Sequence, residues 1–412
     1  MLISIVIPTR DRAQYLRHSL ATATAIPDPN IEIVVSDNAS VDKTRQVVSE
    51  VQDSRVRYVN TGKRVSMRQN FEFALHHSKG DYVIFFGDDD GIIPGQFPFL
   101  RRILEEKKPD VLSWSVPTYG WKVDGYEGKT GFIRLRSNKV YGDLRYLNAD
   151  RYRKDLLAGN LKCIVPLPAV YHGCASRDYL NRTSLENGVY FNGAIPDYYF
   201  SYLSILHGGC FLHADHPFKI SGHSPASTGG SQATKKLNDP TKHPGVRFGQ
   251  EIQKDEVKDV VGYALSVPLA LFSSVETARS RFPALSGDLD YQAWYGYVLT
   301  STLGRDEALG QSIRGVLAEY AKKTGTQREL ENAVPKEKKD GRSLRSRLEK
   351  AVGTLTSRRV DVGDTILSAT QCCDHLLEND FGMVLEGGLQ RTQAWRRLKS
   401  RKKARAQSSN FT

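Results

Sequence analysis

The chain has 412 residues, 40% of them hydrophobic and 25% charged, with a formal net charge of +12. That length exceeds what one compact core holds and predicts two or three domains, and the composition is that of an ordinary soluble globular protein, which excludes a chain disordered throughout. The positive balance would suit nucleic acid, an anionic membrane surface or phosphorylated small substrates, but the basic residues form no aromatic-interleaved motif, which argues against nucleic acid as a partner.

Cys163, Cys174, Cys210, Cys372 and Cys373 are odd in number and make no CxxC pair. A disulfide framework or a zinc site is therefore not predicted, and a reducing cytoplasm fits. The opening MLISIVIPTRDR carries its basic residues after the apolar run, with no small-residue cleavage site behind it, and reads as a first strand rather than a signal peptide. No apolar run reaches the roughly eighteen residues of a membrane helix. The nearest case, Val260 to Val275, is interrupted by Gly262, Ser266 and Pro268 and predicts a buried, kinked helix.

In chain order, strands are predicted over Leu2–Ile7, Ile31–Ser36, Arg55–Asn60, Tyr82–Gly87 and Val111–Val116. Helices are predicted over Gln14–Thr24, over Asp42–Val51 with Ser40 as N-cap, over Met67–His77, and over Pro94–Lys107 with proline in the first turn. This alternation predicts an α/β fold with a mainly parallel sheet and right-handed crossovers. Ligands bind such sheets beyond the carboxyl ends of the strands. Pro8, Thr9 and Arg10 follow the first strand, Asp37 and Asn38 the second, and Asp88, Asp89 and Asp90 the central one, so the three groups converge on one crevice.

Three consecutive carboxylates repel one another unless water or a cation compensates them, and hard oxygen donors on a short loop suit Mg²⁺ or Mn²⁺, which would in turn hold a diphosphate. The same residues favour turns, so alone the cluster reads either as a metal site or as an acidic strand-to-helix loop. The turn PTRDRAQ after the first strand has no glycine, which removes a dinucleotide-binding fingerprint, and no Walker A loop occurs.

Beyond Val116 the pattern changes. Tyr119 to Tyr146, rich in aromatics, glycines and basic residues, reads as irregular or hairpin structure shaping a pocket, with Trp114, Tyr119 and Trp121 either stacking on a ligand or filling core. In NGAIPDYYFSYLSILH, Asn192 to His207, Pro196 and Asp197 open an apolar helix, where Asp197 reads as a cap that the helix N-terminus keeps ionised. Phe211 to Lys236 ends as a Gly/Ser/Thr/His-rich loop able to fold over phosphates, and His213 and His216 read as surface histidines.

From Glu251 onward helical period dominates, with helices predicted over Gln253–Ser274, Tyr291–Leu303, Glu307–Lys323, Ser343–Leu355 and Thr365–Leu377, and an exposed linker at PKEKKDGR, Pro335 to Arg342. Three domains follow: residues 1–235, divided into a nucleotide-binding half 1–116 and an acceptor half 117–235; a helical region 250–334; and a helical extension 343–412 ending in the basic tail WRRLKSRKKAR, Trp395 to Arg405. The sequence leaves open whether this C-terminal part packs on the first domain, mediates homo-oligomers, or makes a peripheral contact at the inner face of a membrane through its tail.

Taken together, SIVIPTRDR, VVSDNASVDKT, SMRQNF, FFGDDDGIIPG and IPDYYFSYL, in this order and spacing, resemble the family 2 glycosyltransferases of the GT-A fold over roughly Met1 to Gly230. The resemblance implies a nucleotide-sugar donor, most often a UDP-sugar, a divalent metal, Mn²⁺ or Mg²⁺, and transfer with inversion to a hydroxyl of a glycan or glycolipid acceptor, as in polysaccharide biosynthesis. Carried onto this chain, it implies that Pro8, Thr9, Arg10, Asp37, Arg68 and Asp88 contact the nucleotide, that Asp89, Asp90 and His223 serve the metal, and that Asp197 is the general base. The family often has two acids after the second strand, and Ser36 stands in place of the first. The alternatives are a non-catalytic nucleotide- or carbohydrate-binding scaffold at a membrane surface and a sugar-phosphate nucleotidyltransferase. The latter would want a glycine-rich basic loop where PTRDRAQ stands.

Overall fold

The computed structural model describes residues 1–121, 130–161, 166–185, 188–224, 244–283, 287–335 and 356–401. The amino-terminal half alternates strand and helix: β1 (Ile3–Thr9), α1 (Ala13–Thr24), β2 (Ile31–Asp37), α2 (Thr44–Ser49), β3 (Val56–Asn60), α3 (Met67–His76), β4 (Tyr82–Phe85), β5 (Gly91–Ile92), α4 (Phe97–Lys107) and β6 (Val111–Trp114). Apolar residues at both faces of the central strands explain why these strands are covered on both sides: all four residues of β4 are buried, as is all of β1 but Pro8. After β7 (Thr118–Gly120), β8 (Phe132–Arg136) and β9 (Leu144–Tyr146) come α5 (Ala149–Leu157), β10 (Gly173–Ser176), α6 (Arg177–Thr183), α7 (Pro196–His207), β11 (Phe211–Ala214) and β12 (Lys219–His223).

Eight strands form the main sheet in the order β3-β2-β1-β4-β10-β6-β11-β9. β3, β2, β1 and β4 are parallel, β10 runs antiparallel between β4 and β6, β11 is parallel to β6, and β9 is an antiparallel edge. The sheet is thus mainly parallel, with two reversals that the sequence pattern does not show. Register decides where the chemistry sits. Thr9 pairs with Asp37, and Asp37 with Asn60, so the carboxyl ends of three strands stop at one level. A small second sheet, β5-β12-β7, lies beside the central strand's carboxyl end.

One apolar cluster covers one face of the sheet and includes Ile5, Leu16, Ile33, Ile84 and Leu100; a second, with Val6, Phe71, Val83, Phe85 and Phe200, covers the other. A third cluster joins Tyr199, Tyr202 and Leu206 of α7 to the helices Val267–Arg281, Tyr291–Thr300 and Glu307–Thr324. The carboxyl-terminal segment returns to the sheet: Ser357–Asp361 pairs antiparallel with β8, and Ile366, Cys373, Leu376 and Phe381 belong to the same cluster as Ile5.

Several local expectations are corrected. Ser40 does not cap α2, whose N-cap is Lys43; its hydroxyl accepts from the Asp11 amide at 2.8 Å. The helix anticipated over Gln253–Ser274 is two helices, Pro244–Lys254 and Val267–Arg281, with Gly262 between them at φ +96°, a conformation in which a helix cannot continue. His213 and His216 are fully buried rather than exposed: Ser113 Oγ lies 2.9 Å from His213 Nδ1, and His216 bridges the Tyr141 amide and Gln96 Oε1 at 3.1 and 3.0 Å. Trp114, Tyr119 and Trp121 are core. The helix anticipated over 343–355 and most of the linker before it lie outside the described residues, as do Cys163, residues 225–236 and the tail beyond 401. Among the described residues no helix is long and apolar enough to cross a membrane.

Candidate active site

The carboxyl ends of β1, β2 and β4 open into a cavity of about 570 Å³. Pro8 and Thr9 line it from the end of β1, Arg10 and Arg12 from the turn that follows, Asn38 from the turn after β2, and Asp88 and Asp89 from the loop after β4. Asp197 and Tyr198 come from the first turn of α7, Tyr171 and His172 from the chain before β10, and Gly222 and His223 from β12. The far wall is helical: Arg247, Phe248 and Glu251 project from Pro244–Lys254, and Val267 and Ala270 from Val267–Arg281.

The acidic loop is built from below. Ser19, on the buried face of α1, places its hydroxyl 2.7 Å from the Asp88 carbonyl and 2.6 Å from that of Asp90. Trp121 Nε1 donates to the Asp89 carbonyl at 2.9 Å. That carbonyl leaves no room at Gly222, where a Cβ would stand 1.8 Å from it, so any side chain at 222 would push the loop away. Thr9 Oγ1 donates to Asp88 at 2.7 Å, and Ser224 Oγ donates to Asp89 at 2.7 Å.

Two cations compensate the three carboxylates. The Arg12 guanidinium lies between Asp88 and Asp89, with Nε 3.1 Å from Asp88 and Nη2 2.5 Å from Asp89. Burial of Asp88 outweighs Arg12 and Thr9 and pushes its carboxyl up to about 7. Asp90 behaves differently. Burial would raise it, but the fully buried Lys219 ammonium at 2.8 Å holds it below the usual carboxylate range, and the Gly222 and Gly87 amides donate to it at 2.8 and 3.1 Å. Lys219 also donates to the Tyr171 carbonyl at 2.7 Å and stands 3.9 Å from the centre of the Tyr171 ring.

Asp197 follows Pro196 in the first turn of α7, whose N-cap, Ile195, makes no side-chain capping bond. The helix N-terminus was expected to keep this carboxyl ionised. Burial pushes it up to about 6, against the pull of the backbone amides of Tyr198 and Asp197 and the charge on Lys219, so it is ionised at neutral pH but more basic than a solvated carboxylate. Burial likewise pushes the His172 imidazole down to about 3, with Lys219 adding to the effect, so this ring lines the cavity neutral.

Of the residues singled out by sequence, Pro8, Thr9, Arg10, Asp88, Asp89, Asp197 and His223 therefore meet at one cavity, and Asp37, Arg68 and Asp90 do not line it. Asp37 is buried beneath, accepting from Tyr58 Oη at 2.5 Å, Asn60 Nδ2 at 3.1 Å and the Ser40 amide at 2.9 Å. Arg68, anticipated on the nucleotide, is buried in a fork on Asp255, both bonds 2.8 Å. Arg10 is paired with Glu251 across the cavity mouth at 2.5 Å.

The residues named for a metal do not fit one as they stand. Asp90 is paired with Lys219, Asp89 with Arg12 and Ser224, and His223 is exposed. Among the described residues no group of three His, Cys, Asp or Glu side chains is arranged to hold an ion. Asn38, read with Asp37 at the end of the second strand, does line the cavity, whereas sequence reasoning missed Arg12, His172, Lys219 and the helical wall. Arg12 alone offered a signal, two residues beyond the strand end in PTRDRAQ.

Parts of the chain are similar to known glycosyltransferases. The chain is 29% identical over 107 residues to GalNAc(5)-diNAcBac-PP-undecaprenol beta-1,3-glucosyltransferase of Campylobacter jejuni, a match covering 25% of this chain and 35% of that protein. It is 30% identical over 112 residues to an abequosyltransferase of Salmonella typhimurium, covering 26% and 34%. The chain thus spans about a third of the length of these curated relatives. Among solved structures, S. aureus TarS 1-349 in complex with UDP-GlcNAc is similar at 15% identity and a TM-score of 0.44, covering 79% of this chain and 92% of that one. Residues 4–171 match the model described as Glycosyl transferase family 2, so this part of the chain carries a domain of that family.

Proposed function

We propose that the chain is an inverting glycosyltransferase that moves a sugar from a nucleotide-sugar, with UDP-sugars the first class to test, to a hydroxyl of a glycan or glycolipid. One observation carries the reading. Thr9, Asp88 and Asp89 at the strand ends and Asp197 at a helix N-terminus wall the same cavity, and the Asp197 carboxyl sits near 6. The strand-end group suits the nucleotide, and the pocket side of α7 suits the acceptor. The names of the two bacterial relatives, one a glucosyltransferase of a diphospho-undecaprenol-linked glycan and one an abequosyltransferase, support an acceptor of this kind.

The chemistry follows from these groups. An acceptor hydroxyl attacks the anomeric carbon as its bond to the diphosphate oxygen breaks; the nucleoside diphosphate leaves with the electron pair, and Asp197 takes the hydroxyl proton. A carboxylate near 6 is ionised at neutral pH yet more basic than a solvated one, which favours that transfer. The helical wall of Phe248, Val267 and Ala270 excludes water, which would otherwise take the sugar.

The test is a transfer assay with UDP-, GDP- and CDP-sugars and polyprenyl-linked glycan acceptors, reading nucleotide release and the anomeric configuration of the product. Asp197→Asn is expected to lower turnover about a thousandfold while leaving nucleotide affinity unchanged. Full transfer by that variant sinks the base assignment. Nucleotide binding with no transfer to any acceptor favours the scaffold reading.

A further inference from the structure

Arg12 stands at the start of α1, where sequence alone cannot tell it from a solvated helix-start arginine. In the structure it is a wall of the cavity and the sole cation, among the described residues, in contact with the Asp88–Asp89 pair. Its donors are only partly used. Nη2 donates to Asp89 and to Ser224 Oγ, the latter at 2.7 Å. Nε is buried and, despite its 3.1 Å approach to Asp88, lacks the angle of a hydrogen bond and has no other acceptor. Nη1 donates to no described residue. The two N–H bonds of Nη1 are therefore available at the edge of a cavity that has room for a nucleotide.

The charges point the same way. Asp88, Asp89 and Asp90 face two fixed cations, Arg12 and Lys219, and Lys219 belongs to Asp90. The remaining pair is bridged by a planar fork whose geometry matches a carboxylate on one side and a phosphate on the other. We propose that Arg12 is the cation of the donor site and takes the donor's diphosphate directly, in the role a divalent ion was expected to fill. The proposal rests on the glycosyltransferase reading. Asp89 and Ser224 hold the guanidinium by Nη2, Nε faces Asp88, and Nη1 is presented to the diphosphate oxygens. As the sugar leaves, the developing charge on the β-phosphate meets a fixed positive group already in place.

The test is calorimetric titration of the full chain with UDP, GDP and CDP, and with the corresponding monophosphates, in EDTA and in Mn²⁺. One diphosphate is expected to bind in EDTA about tenfold or more tighter than its monophosphate, with Mn²⁺ changing its affinity less than about threefold. Arg12→Gln should remove that diphosphate advantage and leave monophosphate affinity unchanged, and Arg12→Lys should fall between, because a point charge replaces a fork. Should Arg12→Gln fail to fold, Arg12→Lys and the wild-type comparison in EDTA carry the test. Binding that requires Mn²⁺ in the wild type and survives Arg12→Gln overturns the role of Arg12 and leaves the glycosyltransferase reading standing. Failure of the folded wild type to bind any of the diphosphates under either condition overturns that reading and the proposal with it.

Discussion

The two helical segments that follow the sheet make opposite contributions. Residues 244–335 have their own core with α7 and send Arg247, Phe248, Glu251, Val267 and Ala270 into the cavity. Residues 357–401 send none, and instead extend the sheet's own core with Ile366, Cys373, Leu376 and Phe381. Their polar contacts are structural too: Asp374 accepts from the Gly95 amide at 2.9 Å, and Arg401 pairs with Asp380 at 2.7 Å. Chain position and helical period do not reveal this difference. A helix shapes the site where it is tied to the strand ends, and closes the fold where it is tied to the sheet's face.

The sharpest way to break the comparison is at the tie. Arg68→Ala leaves the Asp255 carboxylate, buried and held by Ser66 as well, without its guanidinium, and is expected to lower stability by about 3–5 kcal/mol. Because Asp255 follows directly after the helix that carries Arg247, Phe248 and Glu251, surviving enzyme should also show a raised KM for the donor. Denaturant melts and initial-rate kinetics read the two effects together. A variant that loses stability alone would mean that the helical wall does not depend on this pair.

Leu376→Ala is the matching cut in the other segment. Leu376 is fully buried against the sheet's cluster, and its truncation should cost about 3 kcal/mol through lost contacts and a cavity. Nucleotide affinity at a temperature where the variant is folded should equal that of the wild type, as titration would report. A weakened nucleotide site in Leu376→Ala would erase the distinction between the segments.

The same division governs what was legible in the sequence. Thr9, Asp88, Asp89 and Asp197 were readable because alternating strand and helix force strand ends to one edge, and because a Pro-Asp pair before an apolar run marks a helix start. Arg68 was misplaced because its partner is 187 residues away, and no local pattern announces an Asp255. Lys219 sits in a strand among apolar neighbours, where a lysine is ordinarily read as exposed, and only the three-dimensional proximity of Asp90 keeps it buried. β10 is four residues long and largely small, GCAS, too short to carry a period. The return of Ser357–Asp361 to β8 pairs SRRVD with FIRLR; the alternation of buried Ile133 and Leu135 with Arg134 and Arg136 marks β8 as a strand but does not name its distant partner.

The smallest expected effect concerns the carboxyl that opens α7. Asp197 has its folded-state value raised by burial to about 6, above that of the unfolded chain. A raised acid is a destabilising one wherever it must ionise: stability from this group is full at low pH and declines as pH rises from about 4 through about 6. Asp197→Asn removes the ionisation. At pH 8 the variant should melt higher than the wild type, by under about 2 kcal/mol once the roughly 3 kcal/mol of the shift is discounted for a side chain that opens onto the cavity. At pH 4, where the native carboxyl is already neutral, the two should melt together. A difference that is equal at both values would trace to packing at the start of α7, and the carboxyl would then be no more basic than a solvated one, too weak to draw the acceptor proton early.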